Sequence, residues 1–135
     1  MAVTDALRRI AGALPGIQLL VVFGSTARGR DRVGSDLDVG VILGAGPVAL
    51  RRTVEVALAR AADRDVDVVD LDTASPLLRF EVARDGILIH EGRPHAWADF
   101  RARAMLDWWE WSPTVRMIQD AAIQRLRAQV VRGPR

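Results

Sequence analysis

Two aspartates, Asp36 and Asp38, have the type and spacing most suited to chemistry, because they open an apolar run that reads as a strand. Alternate side chains of a strand point to the same side, so the two carboxylates share one face while Leu37 points to the core. Neighbouring carboxylates repel each other unless a cation lies between them. Oxygen ligands suit Mg²⁺, which also binds the phosphates of nucleotides. The pair therefore predicts a Mg²⁺ site that receives a nucleoside triphosphate.

A glycine-serine turn lies ten residues before the first aspartate and ends an earlier apolar run. Gly24 has no Cβ and lets the backbone approach a phosphate closely. Ser25 adds a hydroxyl at the start of a short helical turn, whose free N–H groups favour anions. Arg28 could pair with a phosphate through two hydrogen bonds, although a plain surface arginine is an equally good interpretation. These three residues are the predicted nucleotide-binding set.

A third apolar run, Val66 to Leu71, offers further acids. Asp65 and Asp67 fall on one face of this predicted strand and Asp70 falls on the other. If the strand lies beside the one that carries Asp38, then Asp67 completes a three-acid cluster. Asp65 and Asp70 remain its rivals, as a strand-edge acid and a loop-end acid.

The composition limits the remaining possibilities. The chain has 135 residues, no cysteine and only two histidines, which excludes thiolate sites and makes a zinc site a poor interpretation. All 19 basic residues are arginine, which explains a pI near 10.7 at a net charge of only +2, so we expect no direct nucleic-acid binding. The longest apolar run is too short to span a membrane, and the polar N-terminus does not resemble a signal peptide. These features predict a soluble, cytoplasmic protein.

Apolar periodicity divides the chain into alternating helices and strands. The predicted fold is α/β, with a small mixed sheet, helices packed on one face and a C-terminal helical tail. Residues 1–93 form the predicted core and residues 94–135 its helical extension. The predicted strands span 17–23, 36–43, 66–71 and 87–89, and the predicted helices span 4–13, 47–62, 75–85 and the tail, with a restart at Ser112-Pro113.

The tail carries one apolar stripe at helical spacing. Its members are Trp97, Phe100, Ala104, Trp108, Trp111, Val115, Ile118, Ala122, Leu126 and Val130. Packing against the sheet and contact with a partner protein both explain the tryptophans. Trp109 falls off the stripe, and an exposed indole there would favour the partner.

The pattern Gly-Ser-x(10)-Asp-x-Asp, followed by an acid in an apolar strand, resembles the DNA polymerase β-like nucleotidyltransferase superfamily. The segments GSTARG, SDLDVGV and VDVVDL and the short chain resemble its minimal branch, the MntA-type antitoxins of MNT/HEPN systems. The resemblance covers roughly Ile17 to Glu91. It implies that Gly24 and Ser25 bind the triphosphate.

The resemblance also implies the metal ligands and the reaction. Asp36 and Asp38 would ligate two Mg²⁺ ions, and Asp67 would ligate the catalytic one. Members of the branch transfer AMP from ATP to a tyrosine of a cognate HEPN-domain RNase toxin, in a hetero-oligomer, and thereby silence it.

Two other functions stay open. A small-molecule nucleotidyltransferase of the aminoglycoside-modifying kind usually needs a second domain, for which about 40 residues of helical tail leave little room. A non-catalytic antitoxin could neutralise its toxin by binding alone, but that would not require paired carboxylates, which cost stability.

Overall fold

Helices and strands alternate through the part of the chain that the computed structural model describes, which is residues 2–24, 27, 29, 36–44 and 48–132. The helices are α1 (Ala2–Ala13), α2 (Val48–Ala62), α3 (Pro76–Asp85) and α4 (Ala96–Arg132). The strands are β1 (Ile17–Phe23), β2 (Leu37–Leu43), β3 (Val66–Asp70) and β4 (Ile87–Glu91). The predicted α/β fold with a small mixed sheet is confirmed.

The sheet has the strand order β3-β2-β1-β4, so the most apolar strand lies inside it. Strand β1 is antiparallel to both of its neighbours, whereas β2 and β3 are parallel. A parallel pair needs a crossover connection, and α2 supplies it. This crossover places β3 directly beside the strand that begins with the two aspartates.

Helices cover both faces of the sheet, and the prediction that they pack on one face is wrong. In β1, Leu20 and Val22 belong to a core with α1 and α2, while Leu19 and Val21 belong to a second core with α3 and α4. The physical reason is the continuous apolar run of β1, which exposes apolar side chains on both sides and needs cover on both.

Several element ends follow local chemistry. Gly16, in the turn between α1 and β1, has a φ of +91°, which suits a residue without a Cβ. The Ser75 hydroxyl accepts a hydrogen bond from the backbone N–H of Leu78 at 3.2 Å, so α3 begins where it was predicted to begin. Thr4, in contrast, lies inside α1, which already begins at Ala2.

The tail is a single helix of 37 residues, so the predicted restart at Ser112 is wrong. Pro113 lies inside α4 and removes one backbone hydrogen bond. The apolar stripe keeps the same helical phase on both sides of the proline, since Trp97 and Val115 are five turns apart. The apolar stripe therefore does not require the helix to end at Ser112 and begin again at Pro113. The boundary at residue 93 between core and extension stays a prediction.

The first half of α4 is part of the core. Phe100 and Ala104 are buried, and Trp108 stacks on Phe80 of α3 with ring centroids 5.1 Å apart. The Arg79 guanidinium of α3 also donates to the carboxylate of Asp107 at 2.9 Å. These contacts fix α3 against α4 and so fix the face that α3 turns toward the sheet. Among the described helices, none is long and apolar enough to cross a membrane.

Candidate functional site

Asp38 lies on β2 with its side chain on the face that α3 and α4 cover. Its neighbours in sequence, Leu37 and Val39, are fully buried in the core on the other face. Asp38 pairs across the sheet with Phe23 of β1 and with Asp67 of β3, and it is half-buried. The alternation that the sequence predicts for this strand is confirmed, and the carboxylate lies at the end of three adjacent strands.

The acids of β3 divide as the alternation predicts. Asp67 lies level with Asp38 on the neighbouring parallel strand, and Val68 beside it is buried on the opposite face. The carbonyl of Asp65 accepts a hydrogen bond from the N–H of Leu37 at 3.0 Å, which places Asp65 beside Asp36. Both Asp36 and Asp65 are exposed at the entrance to their strands.

Asp70 has a separate structural task. Its carboxylate oxygen accepts a hydrogen bond from the backbone N–H of Asp72 at 2.9 Å and closes the turn after β3. It also falls on the face away from Asp67. Of the two rivals to Asp67, only Asp65 therefore shares the face of the predicted cluster.

The donor set fits a hard divalent cation. The register brings oxygen ligands from neighbouring strands, Asp38 and Asp67, to one edge of the sheet, with Asp36 immediately before β2. Among the residues that the structure describes, however, no three carboxylates or imidazoles already converge closely enough to hold a metal ion. Like charges at this spacing favour divergent side chains until a cation offsets their repulsion.

Gly24 is in direct contact with the half-buried aspartate. Its φ is +75°, and a Cβ built on it would lie 2.3 Å from the Oδ2 atom of Asp38. No side chain larger than hydrogen fits at this turn without moving the carboxylate. The other predicted nucleotide-binding residues, Ser25 and Arg28, lie outside the described residues.

A cavity of about 220 Å³ opens between this turn and α3. The sheet side contributes Phe23, Gly24 and Asp38, and the helix contributes Glu81, Arg84 and Asp85. Sequence analysis missed these three helix residues. Arg84 and Asp85 follow Glu81 by three and four residues, which places both next to it on one side of α3, but the sequence holds no sign that this side turns toward Asp38.

Arg84 gives the wall of this cavity a permanent positive charge. Its Nη2 and Nε atoms donate to the Asp85 carboxylate at 2.8 and 3.1 Å, and its guanidinium lies 5.4 Å from the centre of the Phe80 ring. The hydrogen bonds that Arg84 donates to Asp85, and then the negative charge of Asp85, raise the pKa of Arg84, and the charge of Glu81 adds to this shift. Among the described residues that line the cavity, Arg84 is thus the one cation beside three acids, Asp38, Glu81 and Asp85.

Comparison with known proteins assigns the chain to a family. The family model described as "Polymerase beta, Nucleotidyltransferase" matches residues 6–94, well over half of the chain. The chain therefore belongs to this nucleotidyltransferase family.

Within the family, the chain is similar to the protein adenylyltransferase MntA of Shewanella oneidensis. The two are 40% identical over 75 residues, which make up 54% of this chain and 53% of MntA. The chain thus matches about half the length of this curated relative. A crystal structure of a toxin-antitoxin with AMP-PNP superimposes with a TM-score of 0.74 and 25% identity, covering 89% of this chain and 98% of the other. A crystal structure of the toxin-antitoxin MntA-HepT gives a TM-score of 0.67 at 25% identity, covering 88% and 97%.

Proposed function

We propose that this protein is a Mg²⁺-dependent protein adenylyltransferase that transfers AMP from ATP to a tyrosine of a cognate HEPN-domain RNase toxin and so neutralises it. The observation that carries the proposal is the placement of Asp38, in contact with the Gly24 turn and level with Asp67 on the next strand. The relatives named for adenylyl transfer and for a toxin-antitoxin with AMP-PNP support the choice of reaction and partner. These 135 residues contain no tyrosine, so the proposed tyrosine acceptor lies outside them.

The described residues of the chain have separate roles in the proposed transfer of AMP. Gly24 allows the backbone to come close to the triphosphate, and Asp36, Asp38 and Asp67 would hold the metal. Mg²⁺, when bound, offsets negative charge on the phosphates and makes the α-phosphorus more electrophilic. Asp67 is the carboxylate proposed to take the proton of the attacking tyrosine hydroxyl. The phenolic oxygen forms a bond to the α-phosphorus, the bond from that phosphorus to the α,β-bridging oxygen breaks, and pyrophosphate leaves.

A labelling experiment tests the whole proposal. The protein is incubated with Mg²⁺, ATP labelled in the α-phosphate and the HEPN-domain toxin encoded beside its gene. We expect label on a toxin tyrosine, no label on the Tyr→Phe toxin, and loss of RNase activity in step with labelling. Unlabelled toxin would contradict the proposal. Neutralisation by an unreactive variant would indicate a binding antitoxin instead, and label on an aminoglycoside would indicate the small-molecule enzyme.

Substitutions of Asp67 and Asp65 test which of these two acids is the third metal ligand. Asp67→Asn should lower the rate of AMP transfer at least about a hundredfold, because a general base and metal ligand is lost. Asp65→Asn removes an equal charge from the same face two residues earlier and should change the rate less than about threefold. Initial rates of toxin labelling measure both, and thermal unfolding checks that both variants fold. An equal loss in the two variants would contradict the assignment of Asp67.

Arg84 should contribute to ATP binding, because it is the cation among the described residues that line the cavity with Gly24 and Asp38. A charge-assisted hydrogen bond to a phosphate contributes about 1.5–3 kcal/mol, so Arg84→Ala should raise the KM for ATP at least about tenfold while kcat changes much less. Arg84→Lys keeps the charge and should recover part of the affinity. Steady-state kinetics at saturating toxin measure the two constants.

The matched control is Arg8, which also pairs with a nearby carboxylate, that of Asp5 at 3.1 Å, but lies on α1 at the other face of the sheet. Arg8→Ala should leave the KM for ATP unchanged. If Arg84→Ala changes the KM for the toxin and not that for ATP, the arginine faces the acceptor and the prediction is wrong.

A further inference from the structure

The part of α4 beyond Pro113 carries large apolar side chains that no described part of the chain covers. A helix of 37 residues is roughly 55 Å long, whereas the ten residues of α3 span roughly 15 Å, so α4 extends well past its support. The exposed fractions are 71% for Met117, 65% for Ile118, 61% for Leu126 and 80% for Val130. A contiguous exposed apolar surface of this kind marks an interaction site more often than chance.

Five residues of this part of α4 form an orderly stripe, which we call the tail face: Val115, Ile118, Ala122, Leu126 and Val130. The spacing of three and four residues puts them on one side of the helix. The tail face lies on the same side of α4 as Trp108 and Trp111, which end the part of the stripe that packs on α3 and the sheet. Trp111 is itself partly exposed, so the apolar surface continues without a gap from the body onto the free half of the helix.

A ladder of side chains connects the tail face to the wall of the nucleotide cavity. Trp111 contacts Trp108 with ring centroids 5.6 Å apart, and Trp108 stacks on Phe80 at 5.1 Å. Phe80 in turn lies under the guanidinium of Arg84, which lines the cavity beside Asp38. Because Arg79 donates to Asp107 and Arg101 donates to the carbonyl of Ala83, α3 and α4 run antiparallel and the tail face lies beyond the beginning of α3. A protein bound along the tail face would therefore reach the cavity by following α3 past Trp108 and Phe80.

The charges on the same half of α4 indicate the kind of partner. Between residues 114 and 130 there are three arginines, Arg116, Arg125 and Arg127, against one acid, Asp120. Within the described part of the chain, Arg125 and Arg127 form no ion pair. Two copies of this helix would bring like charges together, which opposes association, whereas carboxylates on a different protein would be attracted.

We propose that the tail face is the docking surface for the toxin that accepts AMP, and that it binds an apolar helical groove of the toxin flanked by carboxylates. This inference rests on the proposed function, because it takes the partner from it. It adds the surface and the chemistry of the complementary groove. Docking keeps the acceptor on the same molecule as the cavity and so raises its local concentration, which favours a protein substrate over a free small molecule.

Two exposed positions test the docking surface without disturbing the core. The double variant Ile118→Asp/Leu126→Asp should weaken toxin binding at least about a hundredfold, since buried apolar anchors dominate interface energies. The KM for toxin should rise accordingly, while the KM for ATP and the kcat extrapolated to saturating toxin stay unchanged. The matched control is Gln124→Asp, an exposed position on the opposite side of the same helical turn, which should bind like the parent protein. Calorimetry with purified toxin and labelling kinetics provide the two readouts.

Four outcomes decide the matter. Loss of binding and a raised toxin KM only in the double variant support the docking surface. Unchanged binding and labelling in that variant overturn it while the proposed function stands. A parent protein that is dimeric by light scattering, and monomeric once substituted, overturns it in favour of a second copy. A toxin that binds through the tail face but is never labelled supports the docking surface and contradicts the proposed adenylyl transfer.

Discussion

Replacing Asp38 with asparagine is expected to lower the rate of AMP transfer at least about a thousandfold while the chain stays folded. Asparagine has the shape of aspartate and keeps an oxygen acceptor, but it lacks the charge that binds the metal. Loss of a single electrostatic contact to the reacting groups commonly costs about 10²–10³ in kcat, and loss of the metal adds to this. Asp36→Asn should behave in the same way, because both acids are proposed to hold the same ions.

The stabilities of the parent protein and of Asp38→Asn should differ only when Mg²⁺ and nucleotide are present. A ligand that binds the folded state alone raises its free energy of unfolding, by about 2.7 kcal/mol at a hundred times its Kd. We therefore expect Mg²⁺ and a non-hydrolysable ATP analogue to raise the Tm of the parent protein by several degrees and to leave the Tm of Asp38→Asn nearly unchanged. Without ligand the two Tm values should agree within a few degrees.

Asp5 provides the control for this experiment, because it is an exposed acid on α1 at the other face of the sheet. Asp5→Asn should retain both the transfer rate and the response of Tm to nucleotide. Full activity in Asp38→Asn would remove the basis of the proposed function. A variant that fails to fold would show instead that Asp38 has a structural task, and Asp38→Glu would then serve to test the chemistry.

The placement of the acids could be predicted because it depends on two local rules. Side chains alternate along a strand, which assigns Asp36 and Asp38 to one face and Leu37 to the other. A strand-helix-strand unit with a short crossover tends to place its strands side by side and parallel. Together these rules place Asp67 on a strand next to that of Asp38, and the register in the structure then brings the two residues level.

The helix side of the cavity could not be predicted by the same rules. Glu81, Arg84 and Asp85 line it only because α3 packs on the face of the sheet away from α1 and α2. That choice depends on contacts far apart in sequence, such as Phe80 with Trp108 and Arg79 with Asp107. The apolar positions of α3 identify a buried side without saying which element covers it, and a prediction with all helices on one face leaves the wall of the site unassigned.

The tryptophan stripe shows a similar limit. Its periodicity correctly predicts one continuous apolar face, but core and interface give the same period. In the structure, Phe100 and Ala104 are buried because α3 and the sheet pack against this part of α4. Ile118 and Leu126 are exposed because α4 continues past these elements. How far the rest of the fold extends along a helix is a tertiary property, which no window of local sequence contains.

Gly24→Ala should affect both stability and catalysis, and it can be separated from a simple backbone effect. Gly24 has a φ of +75°, at which an alanine costs about 1–2 kcal/mol. Its Cβ would in addition lie 2.3 Å from the Asp38 Oδ2 atom, so the carboxylate or the turn must move. Displacing a catalytic group by about 1 Å can cost about a hundredfold in rate, and we expect a loss of at least this size.

Gly29 is the matched control because it shares the backbone conformation without the collision. Its φ is +71°, and a Cβ there would meet no atom within 4 Å among the described residues. Gly29→Ala should therefore lose a similar 1–2 kcal/mol of unfolding free energy, measured in urea, with a transfer rate reduced only a few-fold. The difference between the two variants in rate isolates the contact between the turn and Asp38. If both lose activity equally, the left-handed backbone itself controls the rate, and the close approach of Gly24 to Asp38 has no special part in holding the carboxylate.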